Sequence, residues 1–339
     1  MKETSSLSQP LSGPDVWRGA ELNARTDWVT PLGAAELHEL GQLVERLEPQ
    51  LENPTTLARV DVDSPLLASR FEHIRKEVEG GKGFHLLRGI PVDRYSLAQN
   101  KALFWALSLL LGKPQEQDGA GNLMHNVTNT GKSVESNSST RGYETDDELT
   151  FHNDGGDAFM LLCLKTAASG GISKLVSVSQ LFNEVLRRSP GLAQVLQEPF
   201  YFDTRTQHKD GRKLQAVPIM NFFDGKLSAL YKRKYIETAQ RFSETPRLRE
   251  DQIAALDLID EICADPAIHL SFSMEPGDIQ IGNNYSILHA RTKYQDHAEP
   301  ERRRHLLRTW ITLPNGRKLP PVFADTREFS SSYTRRLAA

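Results

Sequence analysis

His152 and Asp154, one residue apart in Phe151-His152-Asn153-Asp154, and the distant His289 in Leu288-His289-Ala290-Arg291 restrict this chain more than any bulk property does. On a strand, residues i and i+2 share a face. An extended Thr150–Asp154 would therefore aim His152 and Asp154 into one cavity and turn Asn153 away. A third donor must come from elsewhere, and His289, downstream of a turn at Glu275-Pro276-Gly277-Asp278, is the best candidate. The fold must then bring two remote segments together. Two imidazoles and a carboxylate on one side of a metal leave the opposite positions open for a co-substrate and O₂, which is what a non-haem Fe(II) oxygenase needs. The pattern alone decides nothing: with ten histidines in the chain, one His-x-Asp is unremarkable.

The bulk properties narrow the setting. A chain of 339 residues can bury a substantial core as one large domain or two small ones. Lys plus Arg number 41 against 44 Asp plus Glu, a formal net charge of -3. That offers no electrostatic case for nucleic acid or an acidic membrane surface. Cys163 and Cys263 lie far apart in apolar settings and read as reduced, buried residues. Residues 1–10 lack the apolar stretch of a signal peptide, and the longest apolar run, near Leu103–Leu111, is too short to span a bilayer. A soluble cytoplasmic protein is expected, without nucleic-acid or membrane partners. A homo-oligomer is compatible with the sequence.

Residues 1–30 are rich in Ser, Pro, Gly and charge, and are expected to form an arm docked in part through Trp17 and Trp28. From 31 to 339 a single domain is expected. Leu37, Leu40, Val44 and Leu47 predict a helix over 34–48. Residues 97–112 and 249–263 also read as helices, and 179–188 and 191–197 as two short ones parted by Pro190-Gly191. Apolar runs at 84–92, 159–164, 173–178, 268–273, 279–281 and 306–313 predict strands. Residues 115–148 are polar and rich in Gly, Asn and Ser, the texture of a lid-like loop. Strands on both sides of a helical insertion indicate one β-rich core wrapped by helices.

Taken in order over residues 83–313, several motifs resemble the taurine dioxygenase (TauD/TfdA-like) family of Fe(II)/2-oxoglutarate-dependent oxygenases. They are Leu149–Asp154, Ser169-Gly170-Gly171, Pro276-Gly277-Asp278, Asn284, His289-Ala290-Arg291 and Arg302–Arg308. The resemblance implies a β-rich α+β fold: a double-stranded β-helix core (jelly-roll, clavaminate synthase-like) with flanking helices. It implies His152, Asp154 and His289 as Fe(II) ligands, with 2-oxoglutarate and O₂ as co-substrates. Arg304 would bind the distal carboxylate of 2-oxoglutarate, where a planar, permanently charged fork suits two oxygens. The Ser173 hydroxyl would assist, at a position where the family more often has threonine. The arginine equivalent to Arg308 contacts, in relatives, an acidic group of the substrate or the near end of 2-oxoglutarate. Arg291 reads as an outer support of the metal site. His125 stands at about the distance ahead of the metal pair where some relatives keep a substrate-contacting histidine, which makes it, with Asn126 beside it, a substrate-contact candidate by resemblance.

The expected reaction couples decarboxylation of 2-oxoglutarate to oxidation, most simply hydroxylation, of a C–H bond. The expected substrate is a small carboxylate-bearing molecule such as an amino acid or natural-product intermediate. Desaturation or cyclisation by the same oxidant stays open. Halogenation is not expected, because the related halogenases carry a small residue where this chain has Asp154. Two other classes stay open. One is a cupin-type barrel enzyme using zinc or manganese, which would not need Arg304. The other is a binding protein on a decayed oxygenase fold, against which the intact metal residues and both arginines argue.

Overall fold

The computed structural model describes residues 6–131, 144–208 and 210–337. Eleven strands make the two sheets that frame the site. The first six are β1 (Val29–Pro31), β2 (Phe84–Arg88), β3 (Lys113–Gln115), β4 (Met124–Val127), β5 (Leu149–His152) and β6 (Ala158–Lys165). The others are β7 (Ser173–Ser177), β8 (Leu270–Phe272), β9 (Ile279–Asn283), β10 (Ile287–Arg291) and β11 (His305–Thr312). The larger sheet runs β1-β2-β9-β6-β11-β3, with β4 also paired to β11, and the smaller runs β8-β7-β10-β5. No ladder joins the two sheets among the described residues, so they form an open pair of layers.

Strand alternation decides what each layer offers. On β11, Leu307 and Ile311 pack outward into a core with Leu40, Phe71, Ile74, Leu103 and Leu107, from helices Ala34–Arg46, Pro65–Gly80 and Leu97–Leu111. Each such side chain, once buried, contributes roughly 1.5–3 kcal/mol. Arg308 and Trp310 occupy the other face. Behind the smaller sheet, Val176 and Leu288 join a second core with helices Val178–Arg188 and Glu250–Ala264. Between the sheets, Phe84 and Leu86 meet Leu175, Leu270 and Ile287, with Trp17 and Trp28 of the N-terminal segment packed on them.

Local chemistry sets the element ends. Ser96 caps the Leu97–Leu111 helix by accepting from the Gln99 amide at 3.2 Å, while the Gln99 side chain returns to the Ser96 N–H. Pro276-Gly277-Asp278 launches β9: Gly277 has φ +89°, and a Cβ there would stand 2.0 Å from the Ile90 carbonyl oxygen. Asp278 accepts the Arg88 fork at 2.9 Å twice, which pins β9 to β2.

Several expectations need correction. The 115–148 stretch contains a strand, β4, which supplies edge hydrogen bonds to β11; its residues 132–143 lie outside the described residues. Strand β5 ends at His152, so Asp154 stands beyond it on a loop. Two hairpins, Pro199–Asp203 with Leu214–Pro218 and Met220–Phe223 with Lys226–Ala229, occupy a region for which the sequence suggested no strands. Both cysteines are free and buried, as expected. Among the described residues no helix is long and apolar enough to cross a membrane.

Candidate active site

The loop after β5 is held by side-chain amides. Asn153 Nδ2 donates to the carbonyls of Asn284 (2.6 Å) and Ile287 (3.2 Å), and its Oδ1 accepts from the Tyr231 N–H at 2.6 Å. Asn284 answers from the β9–β10 turn: Oδ1 accepts from the Asp154 N–H at 3.2 Å, and Nδ2 donates to the Gly155 carbonyl at 2.6 Å. Both asparagines are fully buried, and buried amides hold geometry firmly because each unmade bond is costly. Thus Asn153 does turn away from His152 and Asp154, and it locks the metal loop to the strand that carries His289.

His152 and His289 are cross-strand partners in the β5–β10 ladder, with ring centroids 4.3 Å apart. His289 Nε2 lies 3.9 Å from Asp154 Oδ2, and one ligand atom from each of the three residues falls within 4.8 Å of the others. Among the described residues this is the one cluster of three such groups with metal-holding geometry. His152 Nδ1 lies 2.7 Å from the Thr150 carbonyl oxygen. A carbonyl only accepts, so Nδ1 carries the proton and Nε2 keeps its lone pair for a metal. Burial lowers the pKa of both imidazoles, that of His289 to about 3, and so keeps them neutral. Burial opposes ionisation of Asp154 too, but the Arg308 guanidinium against it outweighs that and holds the carboxyl below its usual range. Two neutral nitrogens and a carboxylate oxygen fit Fe(II).

Arg308 is 7 % exposed and donates from Nη1 to Asp154 Oδ1 (3.2 Å) and Oδ2 (3.1 Å). Its Nε donates to Gln117 Oε1 at 2.8 Å, and the Gln117 amide returns to the Arg308 carbonyl at 2.9 Å. Nothing in the sequence marked Gln117, one polar residue among many in its segment. Lys232, also missed, forms an isolated bridge with His152 and donates to buried Glu328 at 2.8 Å. Such a partner becomes visible only with the fold.

The remaining candidates separate by strand face. Arg304 is buried just ahead of β11, its Cζ 5.0 Å from the Tyr294 ring centroid. Arg291 stands over the same ring at 4.6 Å. Burial lowers both guanidinium pKa values, that of Arg291 to about 10, with repulsion from Arg304 adding to it. Ser173 lies directly opposite Arg291 in the β7–β10 ladder. His125 lies opposite Arg308 in the β4–β11 ladder, with Nε2 3.1 Å from Asp118 Oδ2. Asn126 falls on the other face of β4, exposed, where its Oδ1 accepts from His305 Nε2 at 2.9 Å; the fold does not bring it to the metal cluster.

Phe159 on β6 packs on His289, centroid to centroid 4.4 Å. Its ring fills the space over Gly282, where a Cβ would stand 2.6 Å from two ring carbons. Gly282→Ala is therefore expected to drive Phe159 onto His289, lowering stability by about 1–3 kcal/mol and weakening Fe(II) affinity. Thermal melts and an anaerobic iron titration check both effects.

The model of the taurine catabolism dioxygenase TauD, TfdA family matches residues 43–310. The chain is 29 % identical over 327 residues to FR-33289 synthase of Streptomyces rubellomurinus, covering 95 % of this chain and 96 % of that one. It is 27 % identical over 311 residues to a taurine hydroxylase-like protein of Stachybotrys chartarum, covering 89 % and 80 %. Among solved structures, asparagine oxygenase with Fe(II), 3-hydroxyasparagine and succinate superposes with a TM-score of 0.66 at 18 % identity, over 84 % of this chain and 93 % of that one. The non-heme iron oxygenase OrfP with Fe and α-ketoglutaric acid superposes at 0.59, also 18 % identical, over 84 % and 94 %. At such identities the likeness is one of fold.

Proposed function

Because the chain belongs to the taurine catabolism dioxygenase TauD, TfdA family, and is thereby an Fe(II)/2-oxoglutarate-dependent dioxygenase, we propose that it hydroxylates a C–H bond of a small, amino-acid-like carboxylic acid. The observation that carries the reading is the convergence of His152, Asp154 and His289 within 4.8 Å, with Arg308 on the carboxylate. We take the two sheets as the halves of a double-stranded β-helix and residues 31–339 as one oxygenase unit, in which Gln117 and β4 lie against Arg308 and its strand. Asparagine oxygenase and OrfP, which carry hydroxylated asparagine and arginine in their structures, support the choice of an amino-acid-like substrate.

His152, Asp154 and His289 hold the iron, with His152 oriented through Thr150 and Asp154 through Asn284 and Arg308. Arg304 binds the distal carboxylate of 2-oxoglutarate, with the Ser173 hydroxyl beside it. Arg308 holds Asp154 ionised and meets the acidic group of the substrate; His125, across the ladder from it, lines the same approach. When bound, iron and 2-oxoglutarate supply the oxidising chemistry: O₂ is consumed, 2-oxoglutarate leaves as succinate and CO₂, and R–H becomes R–OH. The protein's own share is positioning and exclusion of water.

Screening amino acids, related small acids and matched non-acidic compounds for substrate-triggered succinate release tests the reading. At least one acid should raise succinate formation well above the substrate-free rate and gain one oxygen atom. A panel in which only non-acidic compounds do so would overturn the substrate class.

A further inference from the structure

We infer that Arg291 is a second guanidinium for the distal carboxylate, so that the far end of the co-substrate pocket is a two-arginine clamp selective for dicarboxylic 2-oxo acids. This rests on the reading of Arg304 as the anchor for 2-oxoglutarate. Arg291 follows His289 by two residues on β10 and so shares its strand face. It is 6 % exposed. Nη2 donates to the carbonyls of Thr145, at 3.1 Å, and Asp147, which accounts for one nitrogen. Nε and Nη1 are buried with no acceptor, as is Nη1 of Arg304.

The two guanidiniums stand over one ring, that of Tyr294, at 4.6 and 5.0 Å. Among the described residues neither has a carboxylate within ion-pairing distance of its side chain. Nearby Cys163 supplies no anion, because burial pushes its thiol up to about 12. The surroundings are built close to this pair. Ser173 faces Arg291 across the ladder, and a Cβ on Gly171 (φ +69°) would stand 3.4 Å from Arg304 Nε.

Two buried cations sharing a ring repel each other, and Asp146, Asp147 and Asp296 act on them only from beyond ion-pairing distance, so a carboxylate bound between them would pair charges that the protein leaves unpaired. One carboxylate offers about four acceptor positions, enough for two forks. A brace for the Thr145–Asp147 segment would use the Nη2 bonds alone and leave the buried Nε and Nη1 without a purpose.

The test compares Arg291→Gln, Arg291→Lys and Arg304→Gln with the parent protein, with folding checked by circular dichroism. Binding of 2-oxoglutarate and of 2-oxovalerate, which lacks the distal carboxylate, is read anaerobically from the iron-chelate absorption. Glutarate binding to the metal-free protein is read by calorimetry. Arg291→Gln should weaken 2-oxoglutarate about 10- to 100-fold, weaken glutarate likewise, and leave 2-oxovalerate within about twofold of the parent. Arg291→Lys, which keeps the charge but not the fork, should fall between. Equal losses for both oxo acids, or no loss for either, overturn the clamp. If Arg304→Gln alone weakens 2-oxoglutarate, the clamp fails and the single anchor stands. If neither variant does, the anchor reading fails with it.

Discussion

Asp154→Ala should abolish tight Fe(II) binding, cut turnover by at least about 100-fold, the upper end for changes merely supporting a ligand, and destabilise the fold. The two effects have separate causes. Iron is lost because one of three donors within 4.8 Å is gone. Stability is lost because Arg308, 7 % exposed and bonded to both Asp154 oxygens, becomes a buried cation without that carboxylate. Breaking one partner of such a pair costs about 3–5 kcal/mol. Asp154→Ala with Arg308→Met should therefore regain most of the stability and none of the iron. Urea unfolding and an anaerobic iron titration of the single and double variants separate the terms. A single variant that still holds iron tightly would remove Asp154 from the ligand set.

The second large effect concerns Arg304. Arg304→Gln should leave Fe(II) affinity unchanged and weaken 2-oxoglutarate by about 30-fold or more, since truncating one side of a buried charge pair costs about 2–5 kcal/mol. The stability change should have the opposite sign. Arg304 is buried, and one of its terminal nitrogens has no acceptor, so the co-substrate-free variant should melt higher than the parent. Saturating 2-oxoglutarate should reverse that order, because it stabilises only the protein that binds it. Melting curves with and without the dicarboxylate test the sign; a parent that melts higher without ligand would show the arginine already compensated.

The meeting of His152, Asp154 and His289 was legible because such chemistry is written in residue type: few side chains ligate Fe(II), and His-x-Asp with a later His is short enough to recognise. Helices with one apolar stripe, such as Ala34–Arg46 and Glu250–Ala264, were legible for the same kind of reason. The strand expected over Thr150–Asp154 stops at His152, and Asp154 is positioned instead through Asn284, a residue remote in sequence. Strand β4 was hidden because an edge strand in a polar stretch shows little alternation. The roles of Gln117 and Lys232 depend on which strands become neighbours, and no local pattern encodes that. Asn126 illustrates the converse, since one step along β4 turned a plausible contact to solvent while His125 stayed opposite Arg308.

The Asn153–Asn284 lock makes the cavity a mould cast before it is filled, because every bond in it runs between protein atoms. Stripping the ion with a chelator should leave the shape intact, and reloading should need no refolding. The cost of that readiness is poor discrimination. Nitrogen and carboxylate donors bind cobalt, nickel or zinc at least as tightly as ferrous iron, so the emptied protein should load those ions too when they are supplied.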